Sequence, residues 1–158
     1  MKKNTSGFTI VELLIVIVVI AVLAAISIVA YNGIQNRTAV SRSLSDLSSL
    51  NKIIQVYYAT NGSYPTTANA WLNSNDNPTN YIPDVTSDFI NSLPKPQYPG
   101  SSSSGAYMYR SNGTNYKIIA HGGKYAELCP LAKAQQPSLI SNRDCWAYGY
   151  FSSGAAAF

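Results

Sequence analysis

From Phe8 to Ala30 the chain carries one charged residue, Glu12, and residues 13–26 are apolar without a break. A helix apolar on every face belongs in lipid or in the core of a helix bundle, not on the surface of a small soluble domain. At about 1.5 Å per residue the run spans about 34 Å, enough to cross bilayer hydrocarbon. The style changes at Tyr31. Asn32, Gln35, Asn36 and Arg37 mark an exit from the apolar layer, and Gly33 is a soft point where a bend or local melting is expected. Beyond it, Val40, Leu44, Leu47, Leu50 or Asn51, Ile54 and Tyr57/Tyr58 recur at steps of three and four. That spacing predicts an amphipathic helix with one buried stripe. Asn61-Gly62, followed by Ser63-Tyr64-Pro65, is the stop signal. One helix from about Phe8 to Thr60, about 80 Å long, is therefore predicted.

The remainder reads as a small head. Residues 66–105 hold Pro78, Pro83, Pro94, Pro96 and Pro99, which prevent long regular elements. Trp71, Leu72, Tyr81, Ile82, Val85, Phe89, Ile90 and Leu93 make this a packed loop, with a short helix expected over Asp84–Leu93. The serine run 101–104 reads as an exposed loop. Ala106–Arg110 and Asn115–Ala120 alternate as strands around Asn112-Gly113, the pair preferred in tight hairpins. Tyr107 and Tyr109 then share one face, and Tyr116, Ile118 and Ala120 share one. A hairpin alone is marginal; the amphipathic half-helix and a strand within Cys145–Phe151 are expected to cover it. The fold class is α+β: a long N-terminal helix packed on an antiparallel sheet of about three or four strands. The tail from Ser152 has no periodic pattern.

Charge narrows the function classes. Without Lys2 and Lys3, the eleven Lys/Arg fall to nine against seven Asp/Glu, and the net charge falls from +4 to +2. No basic cluster remains, so nothing marks a nucleic-acid partner. Twelve tyrosines with many Ser and Asn predict a surface that hydrogen-bonds through uncharged groups. Lys2 and Lys3 lie before the apolar run and hold the head of the chain in the cytoplasm, so the bulk of the chain faces outward. Cys129 and Cys145 are the only cysteines, with 15 residues between them in an exported domain. A bridge closing such a loop contributes about 3 kcal/mol; the other reading is two free buried thiols.

Glu12 is the anomaly. A carboxylate in hydrocarbon costs about 2.5–3.5 kcal/mol on insertion scales. A plain anchor has no use for it, whereas pairing with a positive group on another copy of the chain gives it one. A cleaved secretory signal ending near Val22-Leu23-Ala24 and an uncleaved signal anchor share the basic head, but neither explains Glu12.

Gly7-Phe8-Thr9-Ile10-Val11-Glu12-Leu13-Leu14-Ile15-Val16-Ile17 resembles the processing site of type IV pilins and the pseudopilins of type II secretion. The resemblance implies a leader, residues 1–7, removed by a prepilin peptidase between Gly7 and Phe8. It implies N-methylation of Phe8, and pairing of Glu12 with the N-terminus of a neighbouring subunit. The Asn61–Pro65 turn adds to the likeness. By the same resemblance residues 8–30 are the transmembrane and filament-core helix, 31–60 its amphipathic half and 61–158 the globular head. A C-terminal disulfide in such proteins encloses a variable surface loop, which places that loop at Pro130–Asp144. The implied partners are copies of the chain and other pilins, the peptidase and methyltransferase, an inner-membrane assembly platform with its ATPase, and membrane lipid before assembly. The implied places are the cytoplasmic membrane for a single-pass precursor, then an extracellular filament serving adhesion, motility or DNA uptake.

Catalytic patterns are not apparent. His121 stands before Gly122-Gly123 and reads as a strand-end residue. No nucleophile elbow, phosphate loop, CxxC or HExxH occurs, and no cofactor is expected. Asn142 and Asp144 are too few to hold calcium. Asn36-Arg37-Thr38, Asn61-Gly62-Ser63 and Asn112-Gly113-Thr114 match the glycan-acceptor pattern, as an Asn/Ser/Thr-rich chain does by chance. The sequence therefore reads as a pilus subunit, with a pseudopilin as the alternative and a monomeric signal-anchored binding module as a third class.

Overall fold

Helix-forming residues without proline run unbroken from the apolar stretch to Asn61-Gly62, and the computed structural model has one helix there, α1, Ile10–Asn61. The structure describes residues 7–86, 88–142 and 145–157. Helical bonding passes through Gly33 without the melting expected there. Gly62, at φ 72°, ends the helix and donates its N–H to Tyr58 O at 2.8 Å; this left-handed stop is the one glycine favours.

Two compact units divide the chain at Arg37/Thr38. In the first, the apolar side chains of α1 are exposed on every face, from Ile10 (84 %) to Ile34 (62 %). The second contains the rest of α1, strands β1 (Leu72–Asn73), β2 (Ala106–Ser111) and β3 (Tyr116–His121), helix α2 (Lys124–Gln135), strands β4 (Ile140–Asn142) and β5 (Ala147–Phe151), and a final 3-10 turn, Ser153–Ala157. All neighbouring strands are antiparallel, in the order β1-β2-β3-β5-β4. Gly149 is required in β5, because a Cβ there would lie 2.0 Å from Ile118 O.

One face of the sheet meets both helices. Tyr107, Tyr109, Tyr116, Ile118, Ala120 and Tyr148 share a cluster with Val40, Leu47, Leu50 and Ile54 of α1, and with Tyr125, Leu128, Cys129 and Ala132 of α2. The stripe predicted on the second half of α1 is the one that is buried, and the strand faces are as predicted. On the opposite face Ala106, Met108, Ile119 and Ala147 form a smaller cluster with Trp71 and Phe151. There the Lys117 ammonium sits 4.7 Å from the Phe151 ring centroid, and the Arg110 guanidinium 5.6 Å from that of Trp71. His121 ends β3 as expected, its Nδ1 3.0 Å from Ser103 O.

Four expectations are corrected. The tyrosines are not chiefly a surface: Tyr81, Tyr107, Tyr109, Tyr116, Tyr125 and Tyr148 are buried. A thin core built on one long helix leaves room for large rings, and their hydroxyls reach groups at its margin. Tyr107 donates to Asp46 at 2.7 Å, Tyr109 to Pro65 O at 2.8 Å and Tyr81 to Pro94 O at 2.8 Å, while Tyr116 takes a bond from Gln55 at 2.8 Å. Asp84–Leu93 is not a helix. Asp84 has φ 60°, and one turn, with Phe89 and Ile90 both donating to Val85 O, is not continued. The segment Pro130–Asp144 is not simply a loop, since α2 includes Pro130 and β4 lies within it. Pro130 removes one helical bond to Ala126 O, but it lies on the exposed side of α2, where water can serve that carbonyl. The Asn112-Gly113 hairpin forms as expected, but its four-residue loop lies at 112–115 rather than 111–114, between the paired Ser111 and Tyr116.

The serine run is exposed only at Ser101 and Ser102. The Asn75 amide fastens its backbone, donating to Ser102 O at 2.7 Å and Ser104 O at 3.0 Å. In the tail, Ala155 is buried; Phe158 lies outside the described residues, as does Asp144 of the weighed calcium pair.

Cys129 and Cys145 form a disulfide with Cα atoms 5.5 Å apart, joining α2 to the approach to β5. Cys129→Ser with Cys145→Ser is expected to lower head stability by about 2–4 kcal/mol, read as a lower urea midpoint with an intact fold. An unchanged midpoint would contradict a bracing role.

Candidate processing and assembly site

Gly7, Phe8 and Thr9 precede the first helical residue, so the backbone at Gly7-Phe8 is not locked into helix hydrogen bonds. Phe8 is 78 % exposed. A Cβ on Gly7 would meet nothing within 4 Å. This fold therefore places no steric demand for glycine at position 7, and any demand comes from what handles the peptide.

Glu12 falls in the first turn of α1. Thr9 and Glu12 cap that turn reciprocally. Thr9 Oγ1 accepts the Glu12 N–H at 3.1 Å, while Glu12 Oε2 accepts the Thr9 N–H at 2.8 Å and the Thr9 hydroxyl at 2.8 Å. A helix start has N–H groups without helical partners, and a carboxylate there also complements the helix dipole. Among the described residues every hydrogen bond to the carboxylate runs through Oε2, and Oε1 can accept one more. A single short side chain thus holds a carboxylate at the mouth of an all-apolar helix with one oxygen available to an outside cation.

Sequence reasoning placed Gly7, Phe8 and Glu12 together and missed Thr9. The signal was present: Thr9-Ile10-Val11-Glu12 is the threonine-x-x-glutamate capping pattern before an apolar run. Thr9→Val keeps the branched shape and removes the hydroxyl. It is expected to weaken the first turn by about 1 kcal/mol, seen as faster amide exchange at Glu12 in micelles. Exchange at the wild-type rate would refute the cap.

Asp46 and Glu127 serve structure. Asp46 accepts the Tyr107 hydroxyl and lies 3.9 Å from Arg42, and Glu127 pairs with Lys124 at 2.7 Å. Among the described residues no group of three or more His, Cys, Asp or Glu gathers that could hold a metal. Lys2 and Lys3 lie outside the described residues.

A helix that is apolar all round, a capped acidic first turn, and a helix-on-sheet head define the pilin architecture. Residues 2–28 match the model of the prokaryotic N-terminal methylation motif. The type II secretion system core protein G of Aeromonas hydrophila is 32 % identical over 66 residues, 42 % of this chain and 46 % of that protein. A fimbrial protein of Pseudomonas aeruginosa is 46 % identical over 48 residues, 30 % of this chain and 31 % of that protein. Core protein G of Dickeya chrysanthemi is 31 % identical over 67 residues, 42 % and 44 % of the two chains. The matched stretch covers less than half the length of each of these relatives. No solved structure matches the chain. In its N-terminal motif, its partial relatives and its fold, the chain is similar to type IV pilins and pseudopilins.

Proposed function

We propose that this chain is the structural subunit of a type IV pilus. It is held in the cytoplasmic membrane as a single-pass precursor with the head outside, cut between Gly7 and Phe8, and methylated on the new amine of Phe8. The observation that carries this reading is Glu12, capped by Thr9 at the mouth of an otherwise apolar helix. In the filament the helices of residues 8–30 bundle, and Glu12 meets the Phe8 amine of a neighbour. That pairing offsets the desolvation of both charges and sets axial register. The partners are copies of the chain and other pilins, with the peptidase, an assembly platform and its ATPase acting on it. Pilins and pseudopilins are structural proteins rather than enzymes.

A second reading, a pseudopilin, is supported by the two matches to core protein G, which are longer than the match to a fimbrial protein. Intact mass of the protein from sheared surface fibres and from membranes separates the readings. Fibres holding a chain without residues 1–7 and with one added methyl group identify a pilus subunit. The same mature form confined to the envelope identifies a pseudopilin. A full-length mass in both fractions defeats both readings.

A further inference from the structure

Of the chain's three Asn-Gly pairs, Asn32-Gly33 lies within α1, and the structure treats the other two, Asn61-Gly62 and Asn112-Gly113, oppositely. Asn-Gly is chemically labile because glycine leaves the following backbone nitrogen sterically free to attack the side-chain carbonyl carbon. Such attack puts negative charge on the asparagine Oδ1 and requires the glycine N–H to give up its proton.

In the loop between β2 and β3, Asn112 is exposed. Its Oδ1 accepts two backbone N–H groups, Thr114 at 3.0 Å and Asn115 at 2.8 Å. These donors point at the atom on which charge develops, as an oxyanion hole does. The Gly113 N–H donates to the buried Ser111 hydroxyl at 3.0 Å, an acceptor placed at the nitrogen that must give up its proton. Gly113 has φ 88°, a conformation that a side chain would strain, so the loop itself keeps the labile pair. The loop is also held from outside, because Tyr64 donates to Gly113 O at 2.8 Å. At the other pair the Gly62 N–H is committed to Tyr58 O at 2.8 Å, and the Asn61 amide nitrogen is turned back to Tyr57 O at 3.1 Å. Attack there requires the end of α1 to unwind first.

We propose that Asn112 is a self-modification site, where the folded loop promotes conversion of asparagine to aspartate and isoaspartate. Gly113 N loses its proton and bonds to Asn112 Cγ; the Cγ–Nδ2 bond breaks and ammonia leaves with the proton, giving a succinimide. Water then opens the ring at either carbonyl. The net change is one water consumed and one ammonia released, with no other reactant. The product adds a negative charge beside the turn that follows α1. In the isoaspartate form an extra backbone methylene displaces Gly113 O from Tyr64. The proposal is independent of whether the chain assembles.

One preorganised oxyanion donor is worth about 10²–10³ in rate at enzyme sites; with water competing at this exposed loop, the two pairs are expected to differ about tenfold. The test is peptide mapping by mass spectrometry of the full chain in detergent. One sample is held folded and another reduced and denatured, both near neutral pH over days. Asn112 is expected to convert about tenfold faster than Asn61 in the folded chain and no slower than in the denatured chain, where the two pairs should converge. Equal rates at the two pairs in the folded chain, or protection of Asn112 by folding, would overturn the proposal.

Discussion

Glu12→Val is expected to leave the precursor in the membrane, cut and stable, while fibre yield falls at least about a hundredfold. The membrane step loses nothing, because valine removes a carboxylate whose insertion costs about 2.5–3.5 kcal/mol. On the proposed pairing, assembly loses the partner of the Phe8 amine, and breaking one side of a buried pair costs about 3–5 kcal/mol. The substitution also removes the reciprocal cap with Thr9, a smaller local loss of about 1 kcal/mol. Glu12→Gln separates the two effects, since glutamine still caps but carries no charge. If the glutamine variant assembles like the wild type, the role of Glu12 is to start the helix and not to pair across subunits. Immunoblots of sheared fibres against membranes read both variants. Normal fibre yield from Glu12→Val would falsify the assembly role outright.

The second large effect is alkaline unfolding of the head. Burial raises the phenol pKa of Tyr81, Tyr107, Tyr109 and Tyr148 well above the ordinary range. The Asp46 charge adds to this at Tyr81 and Tyr107. Burial also pushes Tyr116 up to about 12. A raised folded-state pKa means that the folded form favours the neutral phenol. That contribution is complete below the unfolded value near 10 and is lost as pH rises above it. Each such group removes about 1.4 kcal/mol per pH unit in that window, and four remove about 5–6 kcal/mol. A domain stable by about 5–15 kcal/mol cannot survive more than about one to three pH units of this. Tyrosinate absorbance and near-ultraviolet dichroism should therefore change together in one steep step. Gradual ionisation of these tyrosines with unchanged dichroism would show that their hydroxyls reach water in the fold.

The parts that sequence made legible are those with a strong period or a single stereochemical signal. The ends of α1 came out within two residues, because Gly62 is a stop with one backbone solution and the apolar run has no competing pattern. The faces of β2 and β3 came out because alternation fixes them. Helix α2 was hidden by Pro130, although Tyr125, Leu128, Cys129 and Ala132 carry its stripe. The direction of the tyrosines was hidden because a phenol suits water and core alike, and only the Asp46 and Pro65 partners, 61 and 44 residues away, decide it. At the N-terminus Glu12 stood out by its cost. Thr9 did not, since a threonine among apolar residues costs little and its value lies in a hydrogen bond.

The order of the strands bears on how many heads can be crowded together. The outermost positions of the sheet are held by its two shortest members, β1 with two residues and β4 with three. Open strand edges invite pairing with a second sheet, and brevity is one way to discourage it. Heads concentrated side by side then have little backbone to offer one another. Contacts between them must be made by side chains, which keeps a dense array from sliding into cross-β aggregation.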